Sequence, residues 1–235
     1  MIVFDVGAFL GWWSKNLADF VTADGRLQLQ LTCFEPAPNQ RSELQKRVGP
    51  VDREKVKLEI NNIALSDYEG EAKFNITGPK TGTSHLRVDS GASGEATGDI
   101  ITVQVTTADR FMEQNGIEKI DFMKIDTEGN DFRVIMGAER ALQRQAIGLI
   151  QFEYSGEWVD HGHSIKSVMK FAAAYNYRVG RLTQNYIEQY DTLHLELDRF
   201  FLGNYVLLSP QVCLPADRVR KYTMDKYATA QEVRN

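Results

Sequence analysis

Cysteine is scarce in this chain of 235 residues: only Cys33 and Cys213 are present. Two cysteines cannot make a disulfide framework, so both read as free thiols of a reducing compartment, which places the protein in the cytoplasm. No run of about 18 apolar residues occurs, which argues against a membrane-spanning helix and a membrane partner. Basic excess is also missing. The net charge is -5, and no basic stripe suggests a nucleic-acid partner. Met1 runs straight into strand-like sequence, so no signal peptide is expected. Internal repeats are absent as well.

What is present is an ordinary globular composition, 43% hydrophobic and 25% charged. Strand-like and helix-like segments alternate, which predicts an α/β fold with a mainly parallel sheet covered by helices on both faces. Strands are expected over 3–6, 29–34, 56–60, 100–105, 120–125, 147–152 and 177–182. A further strand at 205–208 is expected to finish the sheet in antiparallel sense, and 72–76 suits an extra one. Trp13, Leu17, Phe20 and Val21 form one apolar stripe on the first helix. Phe132, Ile135, Met136 and Leu142 face inward from a single later helix. Leu193, Leu195 and Leu197 alternate as strand packing would. Residues 1–209 read as one domain with a mobile loop insertion over about 78–99, and 210–235 as a charged tail.

Four acids fall at expected strand ends: Asp5, Glu35, Asp126 and Glu153. Ligands of open α/β sheets sit outside those ends. The turn Asp5-Val6-Gly7-Ala8-Phe9-Leu10-Gly11 places bare backbone and a helix N-terminus there. A carboxylate such as Glu35 has two acceptor oxygens that match the vicinal hydroxyls of a ribose. The glycine spacing departs from the dinucleotide fingerprint, because Phe9 stands where a pyrophosphate needs room. A nucleoside with a thioether arm needs no phosphate cradle.

The ordered blocks Phe4-Asp5-Val6-Gly7-Ala8, Cys33-Phe34-Glu35-Pro36, Asn62-Ile63-Ala64-Leu65-Ser66-Asp67, Gly82-Thr83-Ser84-His85-Leu86, Val105-Thr106-Thr107-Ala108-Asp109 and Asp121-Phe122-Met123-Lys124-Ile125-Asp126-Thr127-Glu128-Gly129 resemble the FkbM family of methyltransferases. The resemblance runs from about residue 3 to 154. It implies a class I methyltransferase fold: a Rossmann-like three-layer sandwich with a mainly parallel seven-stranded sheet and a last antiparallel strand. It also implies S-adenosylmethionine as cofactor and methylation of a hydroxyl oxygen on a small molecule, sugar or glycan. Carried over by position, Asp5, Gly7, Ala8, Phe9 and Gly11 lie along the methionine end of the cofactor. Glu35 holds the ribose, Asn62 and Ala64 lie against adenine, and Asp126 sits near the transferred methyl. The family usually reads Gly-Ala-Asn where this chain has Gly-Ala-Phe, so Phe9 offers a ring in place of an amide.

For the proton acceptor, Asp126 comes first because it ends the strand beside the cofactor strand, with Glu128 and His85 as further candidates and Glu153 also in reach. Glu128 also suits charge stabilisation of a helix N-terminus. Lys124 reads as an ion-pair partner beneath the site. His161 and His163 could join Asp126 and Glu153 around a divalent metal, but a polar loop is the better reading and no metal is assigned. Trp12 and Tyr154 are candidate acceptor platforms, or simply packing. Two other readings remain: a catalytically silent cofactor-binding protein of the same fold, and an NAD(P)-dependent oxidoreductase.

Overall fold

The structure, a computed structural model, describes residues 1–76, 84–86, 98–192 and 197–222. Its large sheet is built from β1 (Ile2–Val6), β2 (Leu29–Phe34), β3 (Val56–Asn61), β8 (Ile120–Ile125), β9 (Ile147–Tyr154), β10 (Arg178–Leu182), β11 (Ile187–Tyr190), β12 (Gly203–Leu208) and β13 (Val219–Lys221). A second sheet holds β4 (Ile63–Leu65), β5 (Gly70–Ile76), β6 (His85–Leu86) and β7 (Asp99–Thr106). The helices are α1 (Trp12–Asp24), α2 (Pro38–Val48), α3 (Ala108–Gln114), α4 (Asp131–Met136), α5 (Glu139–Gln143) and α6 (Ile165–Ala174).

The large sheet runs β13-β11-β10-β12-β9-β8-β1-β2-β3. Its centre from β9 to β3 is parallel, and β12 inserts antiparallel between β9 and β10. Seven of these strands, β10 to β3 in that order, match the expected sheet. The chain leaves β1 in one direction for β2 and β3 and returns on its other side as β8 and β9. The crevice beyond the tips of β1 and β8 is therefore the topological switch point, where ligands of such sheets bind.

Alternation along β1 divides the interior. Val3 joins Ala18, Val21, Leu31, Leu44 and Val48 under α1 and α2. Phe4 and Val6 point to the larger core on the opposite face. There Phe4, Phe34 and Phe111 form a triangle of rings with centroids 4.8–5.6 Å apart.

Several expectations are corrected. Two further strands, β11 and β13, extend the sheet past the expected seven. The first follows a turn in which the Thr183 hydroxyl bonds Tyr186; its mixed sequence hides the strand period. Part of the segment expected as a tail is β13, held where Lys221 pairs with Asp191 at 3.2 Å and the Tyr222 ring packs at a tilt against Tyr190. Of the expected α1 stripe, Val21 is buried and Trp13 and Leu17 pack half-buried against the core, but Phe20 is 62% exposed, and Ser14 and Ala18 are buried in addition. Ser14 faces inward because its hydroxyl donates to the buried Asp5, a polar reason that a hydrophobic pattern does not register. The expected single helix after β8 is two, α4 and α5. Asp109 caps the second by accepting from the Arg140 and Ala141 amides. The insertion expected at 78–99 contributes β6, which pairs with β5; most of it, like Leu193 and Leu195, lies outside the described residues.

Gly137, between α4 and α5, packs on the backbone carbonyl of Ser66, and a Cβ there would collide with it. Gly137→Ala should therefore cost about 2–4 kcal/mol, because backbone rather than a flexible side chain must give way. A melting temperature within about 1 °C of the parent would show that the β4 end is free to move.

Candidate functional site

A cleft of about 530 Å³, counting space open to solvent, lies at the switch point. The β1 tip supplies Val6, Gly7 and Phe9; β2 supplies Phe34, Glu35 and Pro36. The second sheet adds Ile63, Ala64, Leu65, Phe74, Ser84 and Leu86, and the turn after β8 adds Asp126, Thr127, Glu128 and Asn130. Much of this wall is apolar, with the carboxylates at strand tips.

Gly7, just past the β1 tip, packs directly on the backbone just past the β8 tip. It has φ +77°, and a Cβ would collide with the Asp126 carbonyl, so only glycine fits. Phe9 is also left-handed, at φ +49°, which is uncommon for a bulky residue. That turn aims the Phe9 amide at Glu35 Oε2, 2.9 Å away, while the Ala37 amide donates to Oε1 at 2.9 Å. One lone pair on each oxygen remains. Burial pushes the Glu35 carboxyl up to about 7, against the pull of these two amides and of Arg41.

Beneath the cleft, the Lys124 ammonium lies 3.0 Å from Asp126 and 3.6 Å from Asp5. Asp5 is fully buried and also accepts from Ser14 Oγ at 2.5 Å. Burial raises its pKa, and Lys124 opposes the rise. The ion pair expected for Lys124 is thus present.

Asp126, Glu128 and Glu153 bring carboxylate oxygens within 4.8 Å of one another. That spacing suits a shared cation, though acidic groups often gather without one. Burial and the neighbouring charges of Asp126 and Glu153 push Glu128 up to about 8. Burial, with Asp126 and Asp131, takes Glu153 up to about 7. Glu128 is left-handed, at φ +53°. Asp131, which the sequence did not suggest, is fully buried at the start of α4, and burial holds it at about 6. Asn130 donates to the Leu65 carbonyl at 3.0 Å, tying this turn to β4.

Of the residues expected at the site, Gly7, Phe9, Glu35, Ala64, Asp126 and Glu128 line the cleft. Others do not. Asp5 lies below it, because its side chain follows Val3 to the α1 face of β1. Ala8 packs with the α1–α2 core. Gly11 sits against Leu44 and Val48 of α2. Asn62 is exposed, and its successors form the wall instead. His85 lies on β6 between two lining residues. His161 packs by Gly129, and burial lowers it to about 4, so it is neutral. His163 stacks edge-on to Phe132. Trp12 is exposed under the Arg47 guanidinium, and Tyr154 is buried with its hydroxyl on Asp198; neither forms a platform in the cleft. Ser84, Phe74 and Leu86 were missed because the second sheet brings them in from distant sequence.

The comparisons agree with this architecture. The curated 2-O-methyltransferase NoeI of Sinorhizobium fredii (strain NBRC 101917 / NGR234) is 26% identical over 150 residues, 58% of this chain and 58% of that protein. The match thus spans little more than half of that relative. A methyltransferase FkbM from Methylobacillus flagellatus KT superposes with a TM-score of 0.52 at 14% identity, covering 87% of this chain and 42% of that one; this bears on the fold. No helix among the described residues is long and apolar enough to cross a membrane. The methyltransferase FkbM domain model matches residues 5–179, from the buried acid of β1 into β10. With strand order, cleft and sequence in agreement, the chain belongs to the FkbM-domain methyltransferase family.

Proposed function

We propose that the protein transfers the methyl group of S-adenosylmethionine to a hydroxyl oxygen of a small metabolite, sugar or glycan. The observation that carries the reading is a buried carboxylate at the β2 tip sharing one cleft with Asp126 and Glu128 after the β8 tip, with Glu153 of β9 beside those two. The β2 and β8 tips lie about 10 Å apart by strand spacing. The name of the curated relative, a 2-O-methyltransferase, supports oxygen as the target. Two free thiols, Cys33 buried and Cys213 exposed, support a reducing, cytoplasmic setting.

The residues present fit such a cofactor. Glu35 would take the ribose hydroxyls on its two remaining lone pairs. Ile63, Ala64 and Leu65 would flank the purine, and the bare backbone of Gly7 would pass beside the amino-acid arm. When bound, the cofactor supplies a methyl group already activated on positively charged sulfur. The protein must then align a hydroxyl and accept its proton. Glu128 suits that task better than Asp126, the first expectation, since Lys124 already holds Asp126. A proton affinity near 8 puts Glu128 close to working pH. The negative mouth also favours neutral acceptors over phosphorylated or acidic ones.

Calorimetry with S-adenosylhomocysteine, adenosine and NAD, followed by a methyl-transfer screen over neutral sugars and alcohols, tests the proposal. Binding of NAD but not of S-adenosylhomocysteine would refute it. Glu35→Ala should weaken S-adenosylhomocysteine by about 1.5–3 kcal/mol, through loss of charge-assisted bonds. Because hydroxyl donors select the ionised carboxylate and Glu35 starts near 7, adenosine should bind about tenfold more tightly at pH 8 than at pH 6. Glu35→Gln should abolish that slope. Glu128→Gln should lower turnover by about 100-fold or more while leaving cofactor affinity within about threefold. Equal losses in both would move Glu128 from chemistry to binding.

A further inference from the structure

Asp131 is fully buried, and each neighbour that bonds it is a donor. Oδ1 accepts from the Glu153 amide at 3.0 Å; Oδ2 accepts from the Thr127 amide at 3.2 Å and the Thr127 hydroxyl at 2.8 Å. The two backbone amides can only donate, so each carboxyl oxygen serves as an acceptor. One side chain thus staples the turn that carries Glu128 to the strand end that carries Glu153. Neither amide belongs to α4, so the Asp131 side chain is not a helix cap. A buried charge beside Asp126, Glu128 and Glu153 opposes folding.

The strain at Glu128 points the same way. A left-handed glutamate is unfavourable unless its surroundings impose it. Two anchors hold the turn: Asn130 on the Leu65 carbonyl and Asp131 on Thr127. Only the second reaches β9. We propose that Asp131 is the positioning residue that sets Glu128 against Glu153, so that the hydroxyl acceptor meets one preformed carboxylate pair. This rests on the methyl-transfer reading for its chemistry, but the staple itself is a property of the fold.

Asp131→Asn keeps one acceptor oxygen and turns the other position into a donor facing a donor, so one of the two ties must break. Hydrogen exchange should speed at least tenfold at the Thr127 or Glu153 amide, with the amides of β1 and β2 unchanged. With an acceptor from the methyl-transfer screen, kcat should fall at least 30-fold while S-adenosylmethionine KM stays within threefold. Thr127→Val removes only the hydroxyl tie and should give the same split at three- to tenfold, so the staple remains testable if Asp131→Asn does not fold. Unchanged exchange at both amides in folded Asp131→Asn overturns the proposal, as does an unchanged kcat in Thr127→Val. So does a parallel fall of kcat, S-adenosylhomocysteine affinity and melting temperature, which marks a purely structural residue. The exchange result stands without turnover, so a screen with no methylated acceptor counts against the proposed function and not against the staple.

Discussion

The buried ammonium of Lys124 is the interaction on which the rest of the site depends. It lies between Asp5, wholly removed from water, and Asp126 at the tip of its own strand. Burying a carboxylate without a partner is strongly unfavourable, and removing one member of a buried pair is worse than never having built it. Lys124 lets two acids occupy adjacent strands at the switch point. It also draws β1 and β8 into register, where Gly7 meets the Asp126 carbonyl without a side chain between them.

That one cation does not balance the carboxylates around it. Asp131, Glu128 and Glu153 share the same corner; burial first, and then the charge of Asp126, raises the proton affinity of each. The result is a graded set. Asp126 is committed to Lys124, Asp131 to three hydrogen-bond donors, and Glu128 and Glu153 are left near neutral proton affinity. Glu35, two strands away, is set apart by its own pair of backbone amides. One sheet edge therefore offers two different carboxylate environments, one held by backbone amides and one a crowded acidic cluster. Separating roles by environment rather than by residue type is how one chemistry of side chain serves both binding and proton transfer.

Much of this was legible in the chain because it is local. The strands from Val3 to Phe152 announce themselves through apolar runs, Glu35 stands before a proline that ends its strand, and Pro38 opens the helix after it. Gly7 and Glu128 fall in motifs short enough to be read directly. What escaped depends on contacts across long separations. Ser14 is buried because Asp5 lies opposite, nine residues away. Asp131 matters because Glu153, 22 residues on, needs an acceptor. Phe74, Ser84 and Leu86 reach the cleft only because a second sheet folds over the first.

The sequence by itself determined the central strands of the large sheet, the acids at strand tips and the family. Hydrophobic period, turn residues and motif spacing are properties of neighbours along the chain. Tertiary structure alone decided how each acid is paired and how readily it takes a proton. Proton affinity is set by burial and by the charges a fold brings within a few ångströms, and neither is written in the identity of a residue.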